Sequence, residues 1–173
     1  MKMFKKLMAI ALVGVMALSM LTGCAVTDAI AEKQAEKALE HAYSMALGQN
    51  VEFTQVEKDA YKNAAKTLKQ DIKNKKATYD KATNVKSETA GYSVVVVPAP
   101  KSATTYSAWE TTVGSVIGAT TNKGVYFEGT VGKGTLKGKV NIQVVEGVKA
   151  DNKDKSQDYV IFVFAATEAA YNK

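Results

Sequence analysis

Cysteine, histidine and arginine are almost missing from this chain of 173 residues. Cys24 is the only cysteine, His41 is the only histidine, and every basic residue is a lysine. A single cysteine excludes an intramolecular disulfide, and one histidine leaves no second histidine for a zinc site. Without arginine the chain lacks the side chain best suited to bidentate phosphate recognition. We therefore expect no nucleic-acid partner, no metal site and no cofactor.

The first 23 residues differ in composition from the rest of the chain. Three lysines near the start precede an uncharged apolar stretch from Leu7 to Leu21, and two small residues follow. This stretch is shorter than the roughly 20 apolar residues that span a bilayer. The order of basic start, apolar stretch and small residues predicts a cleaved export signal over residues 1–23.

The residues Leu21-Thr22-Gly23-Cys24 resemble the lipobox of bacterial lipoproteins, a resemblance that covers only the signal and its junction. It implies that the Cys24 thiol receives a diacylglyceryl group, that cleavage occurs before Cys24, and that the new amino group is often acylated, for example with palmitate. The membrane is then a partner through the lipid on Cys24. The implied location is the outer face of the cell membrane. Because Ala25 follows the cysteine, the outer membrane is allowed in a cell that has one.

Residues 24–173 are long enough for one domain with its own core, and their patterns predict an α+β fold. Helix formers predict a first helix over 28–47, and the capping-box pair Thr54 and Glu57 predicts a second over about 54–74. Lysines crowd the end of the second helix, which favours either a patch for anionic lipid headgroups or wall polymers, or a solvated helix end. These lysines are Lys66, Lys69, Lys73, Lys75 and Lys76.

The remaining elements complete the order α-α-β-β-α-β-β-β around a mostly antiparallel sheet of about five strands. We predict strands over 79–86 and 92–97, a helix over 106–117, an amphipathic hairpin over 125–144 with one face in water, and a doubly apolar strand over 159–165. Residues 147–158 are predicted to form a polar loop. The spacing of Gly114 and Gly118 suggests close helix packing. By analogy, an alternative is a cone like that of the cystatins or the nuclear transport factors, in which the sheet wraps a helix.

No hydrolase or metalloenzyme motif occurs beyond residue 23, so the sequence favours a non-catalytic binding or interaction module at the membrane surface. Its ligand would be an envelope protein, a wall polymer or a small molecule. Tyr106, Trp109 and Tyr126 are candidate ligand-facing residues if a groove opens between sheet and helix, although their apolar or half-buried spacing favours core packing. An alternative is an envelope-acting enzyme with Glu110 and Glu128 as its acid-base pair. Another alternative is a purely structural or assembly lipoprotein.

Overall fold

The structure is a computed structural model that describes residues 24–101, 103–120, 124–146 and 157–173. Within these residues, a mixed sheet of six strands carries helices on both faces. The helices are α1 (Cys24–Leu47), α2 (Asp59–Ala64), α3 (Lys66–Lys73), α4 (Tyr106–Thr120) and α5 (Glu168–Tyr171). The strands are β1 (Val51–Gln55), β2 (Thr83–Val85), β3 (Tyr92–Pro98), β4 (Phe127–Thr130), β5 (Lys133–Val145) and β6 (Tyr159–Ala165).

The sheet has the strand order β1-β5-β6-β3-β2, and β4 pairs with β5 outside that path. Only β1 runs parallel to its neighbour, with Val51 opposite Leu136 and Gln55 opposite Val140. The other pairings are antiparallel. Strand β6 lies between β5 and β3 and every residue in it is buried, as expected for a strand that is apolar on both faces.

Two separate hydrophobic cores lie on the two faces of the sheet. On one face α1 and α4 cover the alternate residues Val95, Val97, Phe162 and Phe164. On the other face α2, α3 and α5 cover the intervening residues of the same strands, namely Val94, Val96, Ile161 and Val163. Because successive side chains in a strand point to opposite faces, a strand covered on both sides must be apolar throughout.

Helix α1 also covers the outer edge of β1. The hydroxyl of Ser44 accepts the backbone N–H of Val51 at 2.9 Å, and the carboxylate of Glu40 accepts that of Phe53 at 2.9 Å. An uncovered strand edge leaves a row of unpaired N–H and C=O groups, which promotes association with other chains. The polar side of α1 therefore satisfies this edge while its alanine-rich side packs in the core.

The α+β fold class is confirmed, and so are the central position of β6 and the helix beginning at Tyr106. The single helix over 54–74 is wrong in its first part. Thr54 pairs with Lys139 in β1, and helical structure begins only at Asp59 and is divided at Ala65. Val51 and Phe53 alternate with polar neighbours, a pattern that predicts a strand and competes with the capping-box prediction of a helix. The observed order also adds α5 at the end of the chain.

Three further expectations need correction. The sheet does not wrap a helix as in the proposed cone, because separate helices cover its two faces. The face of β5 expected in water is partly buried, since Asn141 is 0% and Gln143 is 9% exposed beneath the α2–α3 layer. Gly114 and Gly118 do not support close packing, because a Cβ at either would meet nothing within 4 Å.

Two predicted segments lie outside the described residues: the export signal over 1–23, and most of the polar loop over 147–158. Among the helices that the structure describes, none has the length and apolar character required to cross a membrane.

Candidate functional site

An open cleft of about 750 Å³ lies where the sheet edge meets the helices of both layers. It is referred to below as the edge cleft. The first turns of α1 form one side, α2 and α3 form the other, and the last part of β5 forms the floor. Its lining residues are Asp28, Glu32, Glu57, Asp59, Lys62, Asn63, Lys66, Lys69, Gln70, Lys73, Ile142, Gln143 and Val144.

Two carboxylates one helical turn apart, Asp28 and Glu32, form the α1 side of the edge cleft. Burial raises the pKa of Asp28, and the nearby negative charges of Glu146 and Asp158 raise it further. Burial also raises the pKa of Glu32, although hydrogen bonds from the side chain of Gln55 and the backbone of Val144 oppose this effect. Negative charge is thus concentrated on this side.

The opposite side, formed by α2, α3 and the residues just before α2, carries four lysines and the two carboxylates Glu57 and Asp59. Its lysines are concentrated on α3. Lys66, Lys69 and Lys73 follow one another at spacings of three and four residues, which places them in a row. Burial lowers the pKa of Lys69, and the positive charges of Lys73 and Lys62 lower it further. The α1 side of the edge cleft is therefore acidic, and the α3 part of the opposite side is basic.

Few direct ion pairs neutralise these two sides. Within the described residues, the ion pair that the lining residues form joins Lys62 to Glu57 at 2.9 Å. Glu57 lies in the segment that leads from β1 into α2, and Lys62 lies in the last turn of α2. The acidic residues of α1 and the lysines of α3 come from opposite layers and attract one another across the cleft. Lys69 opposes the rise in the pKa of Asp28, and Glu32 opposes the fall in the pKa of Lys69.

A chain of amide hydrogen bonds lies beneath the lysine side. The Lys69 ammonium donates to Gln143 at 3.1 Å, and Gln143 donates to the side chain of Asn141 at 2.6 Å. Asn141 then donates to the backbone carbonyl of Val56 at 2.8 Å and to Glu57 at 3.2 Å. These contacts fix the position of Lys69 and account for the burial of two amide side chains in the sheet.

The floor of the cleft is a length of sheet edge that no other described strand pairs with. Strand β1 pairs with β5 only as far as Val140, whereas β5 continues to Val145. The backbone carbonyl of Val140 accepts from Val56, and the backbone of Val144 lies near enough to the Glu32 carboxylate to oppose the rise in its pKa. Because alternate residues of a strand direct their backbone groups to the same edge, Ile142 directs its own toward the cleft.

The three candidate aromatic residues do not share one groove. Trp109 is 0% exposed and donates its indole N–H to the carbonyl of Ala103 at 2.6 Å, which makes it a core residue. Tyr106 is half-buried and packs against the same core beneath α4. Tyr126 packs against the core on the other face of the sheet, where its ring lies 5.3 Å from that of Tyr171.

The proposed acid-base pair is not brought together either. Glu110 is exposed on α4, whereas the exposed Glu128 on β4 accepts a hydrogen bond from the hydroxyl of Tyr171 at 3.0 Å. Tyr171 belongs to the core on the face opposite α4. His41 is exposed on α1. Within the described residues, no group of three or more histidine, cysteine, aspartate or glutamate side chains is placed to hold a metal ion.

The sequence identified one part of the edge cleft and missed the rest. Lys66, Lys69 and Lys73 belong to the expected basic patch, whereas the carboxylates on α1 that face them were not predicted as site residues. The sequence pattern that indicates this acidic side is the spacing of Asp28 and Glu32, which lie one helical turn apart close to Cys24. The free edge of β5 carried no such signal, because it depends on where β1 ends.

Cys24 is the first described residue of α1, so the site of the expected lipid and the acidic side of the cleft belong to the same helix. No protein-family model matches the chain, and neither a curated protein nor a solved structure matches it.

Proposed function

We propose that this chain is a cell-envelope lipoprotein, held to the membrane by lipid on Cys24, that binds a ligand in the edge cleft without transforming it. Its location is the outer face of the cell membrane, or the outer membrane where one exists. The observation that carries the binding role is an open cleft lined by charged side chains, with the carboxylates of α1 facing the lysine row of α3.

The proposed anchor places the edge cleft beside the bilayer. An α-helix rises about 1.5 Å per residue, so Asp28 and Glu32 lie about 6 and 12 Å along α1 from Cys24. A diacylglyceryl group with a further acyl chain holds a protein stably, whereas a single chain binds only marginally. A ligand of this cleft is therefore met at the membrane surface. The lysine side suits the negative charge that envelope polymers and anionic headgroups carry.

The alternative of an envelope-acting enzyme had Glu110 and Glu128 as its acid-base pair. These residues are both exposed, and Glu128 is held by Tyr171 on the face of the sheet opposite α4. A general acid and a general base must both reach the same substrate atoms. Glu110 and Glu128 therefore do not converge on one cleft, as the enzyme alternative requires.

The anchor is tested by Cys24→Ser in the native cell. We expect the wild-type protein to fractionate with membranes and to incorporate a palmitate analogue, and the serine variant to lose both the label and its processing before residue 24. Ser19→Ala, in the signal segment, is the matched control and should leave both unchanged. Continued labelling and membrane association of the Cys24→Ser variant would refute the anchor.

The binding role is tested by lysine footprinting, which requires no knowledge of the ligand. Membranes from cells and the purified protein are treated with an amine-acetylating reagent, and acetylation is measured by mass spectrometry. We expect Lys66 and Lys73 to be acetylated less in membranes than in the purified protein. The exposed Lys37 and Lys81 lie outside the cleft and should react equally in both. Equal acetylation of all four lysines would contradict an occupied cleft.

A further inference from the structure

The floor of the edge cleft offers backbone hydrogen-bonding groups to an extended chain. Strand β1 leaves the sheet after Gln55, and the path that it would have followed along β5 lies in the cleft. Extended peptides bind exposed sheet edges by pairing with such groups, and pockets on either side select their side chains. The geometry points to a peptide that adds as a short strand beside Asn141–Val145.

The Glu32 carboxylate already occupies part of this path. It lies beside the backbone of Val144, whose N–H opposes the rise in the pKa of Glu32 and would pair with a carbonyl of a neighbouring strand. The carboxylate is thus on the side of Val144 that an added peptide strand would occupy. Gln55 also donates to Glu32 at 3.1 Å, so the carboxylate keeps a partner when a peptide takes Val144.

The two charged sides specify the side chains of this peptide. Successive residues of a strand point to opposite faces of the sheet. Every second side chain of the added strand would face Asp28 and Glu32 in the α1 layer, and the intervening ones would face Lys66, Lys69 and Lys73. The ligand that matches both sides is a segment in which basic and acidic residues alternate. This inference rests on the proposed binding role and names its ligand class.

Two acetylated and amidated peptides of about six residues provide the test, since the free edge is about 17 Å long at 3.4 Å per residue. One alternates lysine and glutamate, and the other has the same composition with its lysines and glutamates in two blocks. Calorimetric titration of the purified protein should give binding of the alternating peptide about tenfold tighter than that of the blocked peptide, because two or more ion pairs are lost in the latter.

Hydrogen exchange adds a readout that surface charge alone would not change. The alternating peptide should increase protection of the Ile142 amide, which points toward the cleft. It should not change protection of the Gln143 amide, which lies on the edge paired with β6. A peptide with alternate N-methylated residues should bind at least tenfold more weakly.

Reversing the charge of two lysines tests the lysine side of the cleft. Lys66 and Lys73 are both exposed, so we expect their substitution to leave the fold intact. The variant Lys66→Glu/Lys73→Glu should bind the alternating peptide about tenfold more weakly, whereas Lys37→Glu/Lys81→Glu, of equal net charge, should bind it as the wild type does. Equal binding of the two peptides, or no protection at Ile142, would overturn the strand-addition inference. If Lys66 and Lys73 are nevertheless acetylated less in membranes than in the purified protein, the binding role survives with another ligand. If they are not, both the binding role and the strand-addition inference fail.

Discussion

Asn141 is the buried residue whose replacement should most directly affect the sheet beneath the edge cleft. It is 0% exposed, donates to the carbonyl of Val56 at 2.8 Å and accepts from Gln143 at 2.6 Å. Asn141→Leu keeps a similar volume but removes these bonds. Each buried group left without a partner costs about 1–3 kcal/mol. The added apolar burial offsets about 1 kcal/mol. The Val56 carbonyl and the Gln143 amide both lose this partner, so we expect the free energy of unfolding to fall by about 1–5 kcal/mol.

Urea unfolding followed by circular dichroism measures this change, and the slope against urea shows whether the unfolded reference state is altered. Asn84→Leu is the matched control, because Asn84 is exposed on β2 and its side-chain contacts are 3.4 Å long. It should change the free energy of unfolding by less than about 0.5 kcal/mol. If Asn141→Leu were as mild as its control, the hydrogen-bonded floor would not be a stabilising feature of the sheet.

Three further predictions concern other features of the fold. Gly138→Ala should destabilise the protein by about 1–3 kcal/mol, because the added Cβ would lie 2.5 Å from a ring carbon of Phe53 in β1. Gly114→Ala, where a Cβ on α4 would meet open space, should stabilise the protein by up to about 1 kcal/mol in the same urea assay. Tyr61→Phe should be neutral or stabilising in thermal unfolding, because the buried Tyr61 hydroxyl has no hydrogen-bond partner among the described residues. Tyr43→Phe should lower the free energy of unfolding by about 1 kcal/mol, because it removes the 2.7 Å hydrogen bond to the Thr120 hydroxyl on α4. Burial raises the pKa of Glu32 above its ordinary value of 4.5, so the folded protein binds this proton more tightly than the unfolded chain does. The contribution of Glu32 to stability therefore falls as the pH rises through the raised pKa. Glu32→Gln should flatten this fall when urea midpoints are measured across the acidic range, and an unchanged pH profile would argue against a desolvated carboxyl.

The sequence predicted the fold class because its strongest signals report burial directly. Tyr159–Ala165 is apolar at every position, and a strand of this kind is covered on both faces, as β6 is. The helix that begins at Tyr106 was predicted from the spacing of Trp109, Val113 and Val116, which are all 0% exposed. These features depend on local periodicity, so a single sequence is enough to find them.

The errors have a different origin, because they depend on partners distant in the sequence. Thr54 and Glu57 match a capping box, but the same segment alternates as a strand, and pairing of Thr54 with Lys139 decides between the two. The polar residues Asn141 and Gln143 indicated a face in water. A second helix layer and the ammonium of Lys69 provide their partners instead. Periodicity cannot show how many layers cover a sheet.

The candidate site follows the same division between local and distant information. The lysines of the edge cleft were found because they form a dense run in the sequence, and their surroundings were not. Asp28 lies in the first helix, Lys69 in the third and Ile142 in a late strand, so only the fold brings them to one sheet edge.

The distribution of charge in the cleft is itself an argument for a ligand. Asp28 and Glu32 are close enough for their charges to disfavour one another, and the positive charge of Lys73 disfavours that of Lys69. Attraction of Lys69 to Asp28 and Glu32 across the cleft offsets part of these repulsions. Like charges gathered along one helix face lower stability, which is typical of binding and catalytic sites. An alternating peptide would relieve both sides at once, because its basic side chains meet the carboxylates where its acidic side chains meet the lysines.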